Sequence, residues 1–132
     1  WKGMETVYVS ILEAAKKGDE AYILGAGTSK NERKLELFYT KHGKIAFKKR
    51  LKLRVIFNET ARNYIKNIEK NLGKKYNKKF LFEYTPTELL IFKTITAIII
   101  RRDEPLVILI QDKETADSFK TYFSELWKLA KT

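Results

Sequence analysis

The sequence predicts an α/β domain on one mixed sheet, parallel in its front half and an antiparallel meander in its back half, with helices on both faces. Three observations carry this. Up to residue 72, segments with apolar residues at helical spacing alternate with short apolar runs, as parallel strands joined by helical crossovers require. After residue 79, four short apolar runs follow one another, separated by turn residues rather than helices. A last segment then returns to helical spacing. No repeat, low-complexity stretch or Pro/Gly/Ser-rich linker interrupts the chain, so residues 1–132 form a single predicted domain.

Taken in order, Met4, Val7, Tyr8, Ile11, Leu12 and Ala15 predict a first helix, stopped by Gly18. Ala21, Tyr22, Ile23 and Leu24 make a short buried strand that ends at Gly25, Ala26 and Gly27. Ser29 and Glu32 have capping-box spacing and open a second helix, with Leu35, Phe38 and Tyr39 on its inner side. Gly43 is a candidate break in that helix, which resumes to about residue 49. Residues 53–57 are a second buried strand, followed by Asn58 as candidate N-cap of a helix carrying Ala61, Tyr64, Ile65, Ile68 and Leu72. Gly73 ends it. Residues 80–84, 89–92, 95–101 and 106–110 are four short strands, with turns near Pro86, at Lys93 and Thr94, and at Asp103, Glu104 and Pro105. Asp112 caps a last helix whose apolar arc (Ala116, Phe119, Tyr122, Phe123, Leu126, Trp127 and Ala130) is broad enough to predict deep packing.

Composition removes whole classes of chemistry. There is no cysteine, hence no disulfide, thiolate zinc site or cysteine nucleophile. His42 is the single histidine, which excludes histidine-rich metal centres and two-histidine mechanisms. The longest apolar run, residues 95–100, contains Thr96 and is far too short to span a bilayer. No signal-peptide pattern opens the chain. The expectation is a cytoplasmic, non-enzymatic domain with no cofactor, no metal and no membrane contact.

Charge gives the first positive clue. Residues 30–79 hold 17 Lys/Arg and 4 Asp/Glu, whereas the rest of the chain is close to neutral. A basic middle between near-neutral ends suits a surface that attracts phosphate or acidic partners. It equally suits a solvated lysine-rich surface, since Lys outnumbers Arg 21 to 6 and Arg is the better phosphate clamp.

Three stretches carry a family resemblance. They are Lys2-Gly3 with the first helix and KKGDEAYILGAG (16–27), then KKRLKLRVIFNET (48–60), then DEPLVILIQDKETADSFKTYFSELWKLAK (103–131). In these, and in element order over nearly the whole chain, the sequence resembles the regulatory part of archaeal TrmB-like transcription regulators. The resemblance implies a phospholipase-D-like fold and a role in sensing an effector or holding a homodimer. It also implies an N-terminal winged-helix module as the DNA reader. No such module lies within these 132 residues, so the chain is expected to be a fragment of a longer protein.

Phospholipase-D chemistry needs a histidine nucleophile in a His-x-Lys arrangement on a rigid strand. The matching strand pair, residues 89–100, has no histidine, and no catalytic residue is assigned. His42 falls on a predicted helix beside Lys41 and Lys44, which points to a solvated surface residue. Gly25, Ala26, Gly27, Thr28 and Ser29 follow a strand and lead into a helix, where backbone N–H groups can receive an anion. The third glycine of a dinucleotide fingerprint and the Walker lysine are both missing, so neither NAD nor a nucleoside triphosphate is supported. Asn58 and Glu59 end the second parallel strand on the same rim, the usual ligand crevice of open α/β sheets. The candidate effector is therefore a sugar or an anion; the alternative is a tight turn using its glycines for positive φ.

Lys41, Lys44 and Lys48 form one helical stripe and Arg62, Lys66 and Lys70 a second, continued by Lys74, Lys75, Lys78 and Lys79 as a basic loop around Tyr76. Lys41, Lys44, Lys48, Arg62, Lys66, Lys70, Lys74 and Lys75 are the candidate nucleic-acid contacts. Phe119, Phe123 and Trp127 recur at spacing four, for core packing or for a dimer seam. The favoured expectation is a non-catalytic regulatory domain of a TrmB-like regulator; the alternative is a stand-alone nucleic-acid-binding domain using residues 41–79.

Overall fold

The computed structural model describes residues 1–29 and 32–132. Its order is α1 (Lys2–Ala14), β1 (Glu20–Ala26), α2 (Glu32–Lys48), β2 (Lys52–Phe57), a 3-10 turn (Glu59–Ala61), α3 (Arg62–Leu72), β3 (Asn77–Phe80), β4 (Thr87–Phe92), β5 (Ile95–Ile100), β6 (Leu106–Gln111) and α4 (Lys113–Leu129). The six strands form one mixed sheet in the order β3-β2-β1-β4-β5-β6. β1, β2 and β3 are parallel, β1 and β4 antiparallel, and β4-β5-β6 a meander.

The alternation of side chains along each strand separates two apolar layers. Ala21, Ile23, Val55, Phe57, Leu90, Phe92, Ala97 and Ile99 face α1, α2 and α3, whose Met4, Ile11, Leu35, Ala46, Ile65 and Ile68 complete the main core. Two crossovers of one hand stepping the same way along the sheet bring α2 and α3 to one face. Tyr22, Leu24, Ile56 and Ile91 face the other way and meet α4, through Ala116, Phe119, Phe123, Leu126 and Trp127, with Leu81 and Ala130 at the margin. Asp112 caps α4 by accepting from Thr115 N–H at 2.9 Å.

Several sequence expectations are corrected. β1 does not stop at Leu24. It runs to Ala26 over a bulge at Gly25 (φ 82°), which turns Ala26 toward the three-helix layer. α2 is unbroken at Gly43. There the missing Cβ lets α3 come close, since a methyl would stand 2.9 Å from the Tyr76 hydroxyl and 3.2 Å from Leu72 Cδ1. Asn58 makes no capping bond with its side chain, because its amide is committed to Thr85. The strand expected at 80–84 lies at Asn77–Phe80 and pairs with β2 in parallel, so Lys78 and Lys79 are strand rather than loop and the meander has three strands. α4 is half-buried, with Ala116 and Phe123 its buried side chains and Tyr122 and Leu129 exposed. The Ser29–Glu32 capping box spans residues 30–31, outside the described residues.

Candidate functional site

Two places in the fold gather the candidate residues. The first is the rim where the parallel strands end. Arg101, just beyond β5, extends its guanidinium under this rim and donates to the carbonyls of Gly25 (2.9 Å), Thr28 (3.3 Å) and Thr85. Asn58 is fully buried. Its amide donates to the Thr85 carbonyl at 3.1 Å, and its Oδ1 accepts from the Thr85 hydroxyl at 3.2 Å. Gly27 has to be glycine here, since a Cβ would meet Asn58 Nδ2 at 2.6 Å and Arg101 Nη2 at 3.0 Å. Gly25, Ala26 and Gly27 are buried, Thr28 and Ser29 half-buried, and Glu59 pairs with Arg62 outside the rim. The structure thus brings the predicted rim residues other than Glu59 together but turns the carbonyls of Gly25 and Thr28 inward onto a side-chain cation. Ser29 Oγ is buried without a partner.

Behind the rim Arg101 faces Glu88, whose carboxylate also accepts from the Tyr39 hydroxyl (2.9 Å) and the Tyr8 hydroxyl (3.2 Å). Burial raises the Glu88 pKa, and the Arg101 charge and the two tyrosine hydroxyls pull against it. Burial first, and then Glu88, push both tyrosines well above the ordinary phenol range. Next to this group a cavity of about 60 Å³, lined mostly by apolar side chains, lies between the sheet and the three helices. His42 lines it, buried rather than solvated as its lysine neighbours suggest. It packs on Phe38 and Tyr8, and both ring nitrogens lack a partner.

The second place is a groove of about 670 Å³ along the β3 edge of the sheet. Arg62, Lys66, Lys70, Lys74, Lys75 and Lys78 line it with Glu69, Gly73, Phe80 and Thr132. Five of the eight predicted nucleic-acid residues meet here. α3 supplies Arg62, Lys66 and Lys70 at four-residue intervals, which stacks them on one face. Gly73, in the left-handed conformation (φ 68°), ends the helix and swings Lys74 and Lys75 back along the same wall. Arg62 is paired with Glu59 and Lys78 with Glu69. Among the described residues no carboxylate lies within ion-pair distance of Lys66, Lys70, Lys74 or Lys75. Lys75 also lines a smaller pocket of about 340 Å³ with Lys52, Arg54, Glu20, Tyr22, Phe47 and Tyr76, where three cations outnumber one carboxylate. Lys41, Lys44 and Lys48 lie outside the groove on exposed positions of α2, and Lys41 is held by Glu5 at 2.9 Å.

Sequence reasoning missed Glu88 and Arg101, although each falls on the inward phase of its strand, in step with Leu90 and Phe92 or with Ala97 and Ile99. It also missed Lys52 and Arg54 of β2, and it read Lys78 as part of a basic loop where the structure has it in β3. Among the described residues no group of three or more metal-ligating side chains converges, and no helix is long and apolar enough to cross a membrane.

These features define a mixed α/β domain with a buried ion pair at its strand ends and a basic groove on one edge. A similar solved structure is that of TrmBL2, an archaeal chromatin protein with a novel mode of DNA binding. It superposes with a TM-score of 0.66 at 16% identity, over 97% of this chain and 49% of that one. At this identity the likeness shows a shared fold, and the chain spans about half the length of its neighbour. No family model matches the chain, and no curated protein does.

Proposed function

We propose that this chain is a non-catalytic, phospholipase-D-like regulatory domain of a TrmB-like DNA-binding protein, and that its β3-edge groove adds phosphate contacts to the DNA complex. The observation that carries this reading is the convergence of Arg62, Lys66, Lys70, Lys74, Lys75 and Lys78 in one groove, four of them without an acidic partner. A lysine wall of this kind neutralises backbone phosphates and releases their counterions without reading base sequence. The DNA binding of the TrmBL2 neighbour supports the same partner class.

The test is fluorescence anisotropy of a random-sequence duplex over a series of salt concentrations. Replacing Lys66, Lys70, Lys74 and Lys75 with Gln should flatten the logarithmic salt dependence by about 0.9 per lysine that meets a phosphate. Sequence preference should not change. Binding that is absent at low salt, or a slope unmoved by all four substitutions, rejects the groove as a DNA contact.

A further inference from the structure

Between the sheet and the three helices the core breaks two packing rules at one point. Native interiors are packed to the density of organic crystals, and their buried polar groups almost always have hydrogen-bond partners. Here a cavity of about 60 Å³ lies against a buried imidazole. His42 is 2% exposed, lines the cavity, and is held by ring contacts with Phe38 at 4.4 Å and Tyr8 at 5.5 Å. Neither of its ring nitrogens has a partner among the described residues. The other polar groups nearby have an explanation that His42 does not share, since Tyr8, Tyr39 and Arg101 all serve Glu88.

Helical spacing sets His42 on one wall with Tyr39 and Ala46, and β1 supplies Ala21, Ile23 and Ala26 to the other. Alanine and glycine at four of the lining positions, Ala21, Ala26, Gly43 and Ala46, leave the walls too short to fill the space. Leucine in place of His42 would serve the core better, because it leaves no polar atom unpaired. The imidazole is therefore a local cost to the fold, and such costs collect at functional sites. Burial favours its neutral form, which offers one N–H donor and one nitrogen acceptor. A single hydroxyl answers both. The walls formed by Ile11, Leu12, Val55, Ile65, Ile68 and Leu90 offer apolar contact alone. A charged occupant would lose its hydration for a neutral ring, and an anion would also meet Glu88. Size is limiting as well. An apolar cavity that takes benzene measures about 150 Å³, so this one suits roughly two to four non-hydrogen atoms.

We propose that this cavity is a binding site for a small neutral alcohol, with His42 holding the hydroxyl and the apolar walls holding a short hydrocarbon body. A sugar is too large and too polar for it. The site thus differs in place and in chemistry from the strand-end rim, where the sequence predicts a sugar or an anion. With so few atoms in contact, affinity is millimolar at best.

The test titrates ethanol and, separately, xenon into the isotopically labelled chain. NMR follows the methyl groups of Ile11, Ile23, Val55, Ile65 and Leu90 together with the His42 ring nitrogens. Ethanol should shift both sets saturably, and its methyl group should show Overhauser contacts to the lining methyls. Xenon, which has no polar group, should shift the methyls alone. His42→Leu should weaken ethanol by about fivefold or more, the worth of one hydrogen bond, and leave xenon within about twofold. Ala46→Val, whose added carbons occupy the cavity, should abolish both, with a circular dichroism spectrum and melting curve like the parent's. Ala21→Val repeats that test from the sheet side. Lining methyls that show no saturable shift with ethanol overturn the proposal. So do Overhauser contacts from His42 to water that persist at high ethanol, which would make this a hydrated cavity only. Ethanol and xenon weakened alike by His42→Leu would also overturn it, since the imidazole would then hold no hydroxyl. None of these readouts depends on DNA binding.

Discussion

Arg101 Nη1 lies 3.6 Å from Glu88 Oε1, with the two side chains 1% and 0% exposed, so the strand ends of this domain close over an ion pair rather than an open crevice. Each charge has further partners: three backbone carbonyls for the cation and two tyrosine hydroxyls for the carboxylate. Removing one member strands the other in a medium that cannot solvate it. Arg101→Met is expected to cost about 3–5 kcal/mol in urea denaturation. Glu88→Gln should cost less, because the amide oxygen still accepts from a tyrosine and Arg101 keeps its carbonyls. Equal, sub-kilocalorie effects of both would contradict this account of the rim.

His42 gives a pH prediction with a definite sign. Burial lowers its pKa, with a smaller push from the Lys41 charge. The unfolded chain then takes up the proton first, near pH 6.5. The stability tied to the neutral ring is complete above that value and is lost as pH falls toward and through the lowered folded pKa. His42→Leu should remove this acid loss between pH 7.5 and 5.5, measured as the shift of the urea midpoint relative to the parent. It should also stabilise the neutral-pH protein by about 1 kcal/mol, since two unpaired buried nitrogens disappear. An acid dependence identical in parent and variant would assign the titration to another group.

Gly43 and Tyr76 should be energetically coupled. On propensity alone Gly43→Ala would help α2 by about 1 kcal/mol. In the fold the new methyl would stand 2.9 Å from the Tyr76 hydroxyl, so the single variant should destabilise. Tyr76→Phe removes that oxygen, and the double variant should recover part of the loss. A thermal-denaturation double-mutant cycle showing additivity would mean that Leu72, at 3.2 Å, sets the limit instead.

Most of the fold was legible in the sequence because element order and apolar phase are local properties. The failures occurred where a distant partner decides. Residues 80–84 are an apolar, aromatic-rich run of strand length, yet a ladder needs something to pair with. β2 offers Arg54–Phe57 to Asn77–Phe80 and then gives way to the 3-10 turn, so the regular ladder ends at Phe80 and residues 81–83 keep only backbone bonds to Phe57, Glu59 and Thr60. Gly25 and Gly43 are both punctuation on propensity; one is a bulge inside a strand, and the other a point of helix–helix approach. His42 was masked by Lys41 and Lys44, although it sits four residues after Phe38 and four before Ala46 on the inner stripe of α2.

The candidate site was legible in a different proportion. The α3 stripe of Arg62, Lys66 and Lys70 follows from helical spacing alone, and the structure adds only the return of the chain at Gly73 that brings Lys74 and Lys75 alongside. The rim could be placed at the strand ends but not filled. Its filling depends on Arg101, separated from Gly25 by 76 residues, and no local rule links the two.

The single-helix cover of the far sheet face has a consequence during synthesis. Every strand precedes α4 in the chain, so a nascent chain reaching Gln111 has all six strands but nothing over Tyr22, Ile56 and Ile91. At typical rates the 17 residues of α4 take about 1–3 s to translate, and longer to clear the ribosome. For that interval an open apolar sheet is available to chaperones or to neighbouring nascent chains, and the last helix ends the exposure.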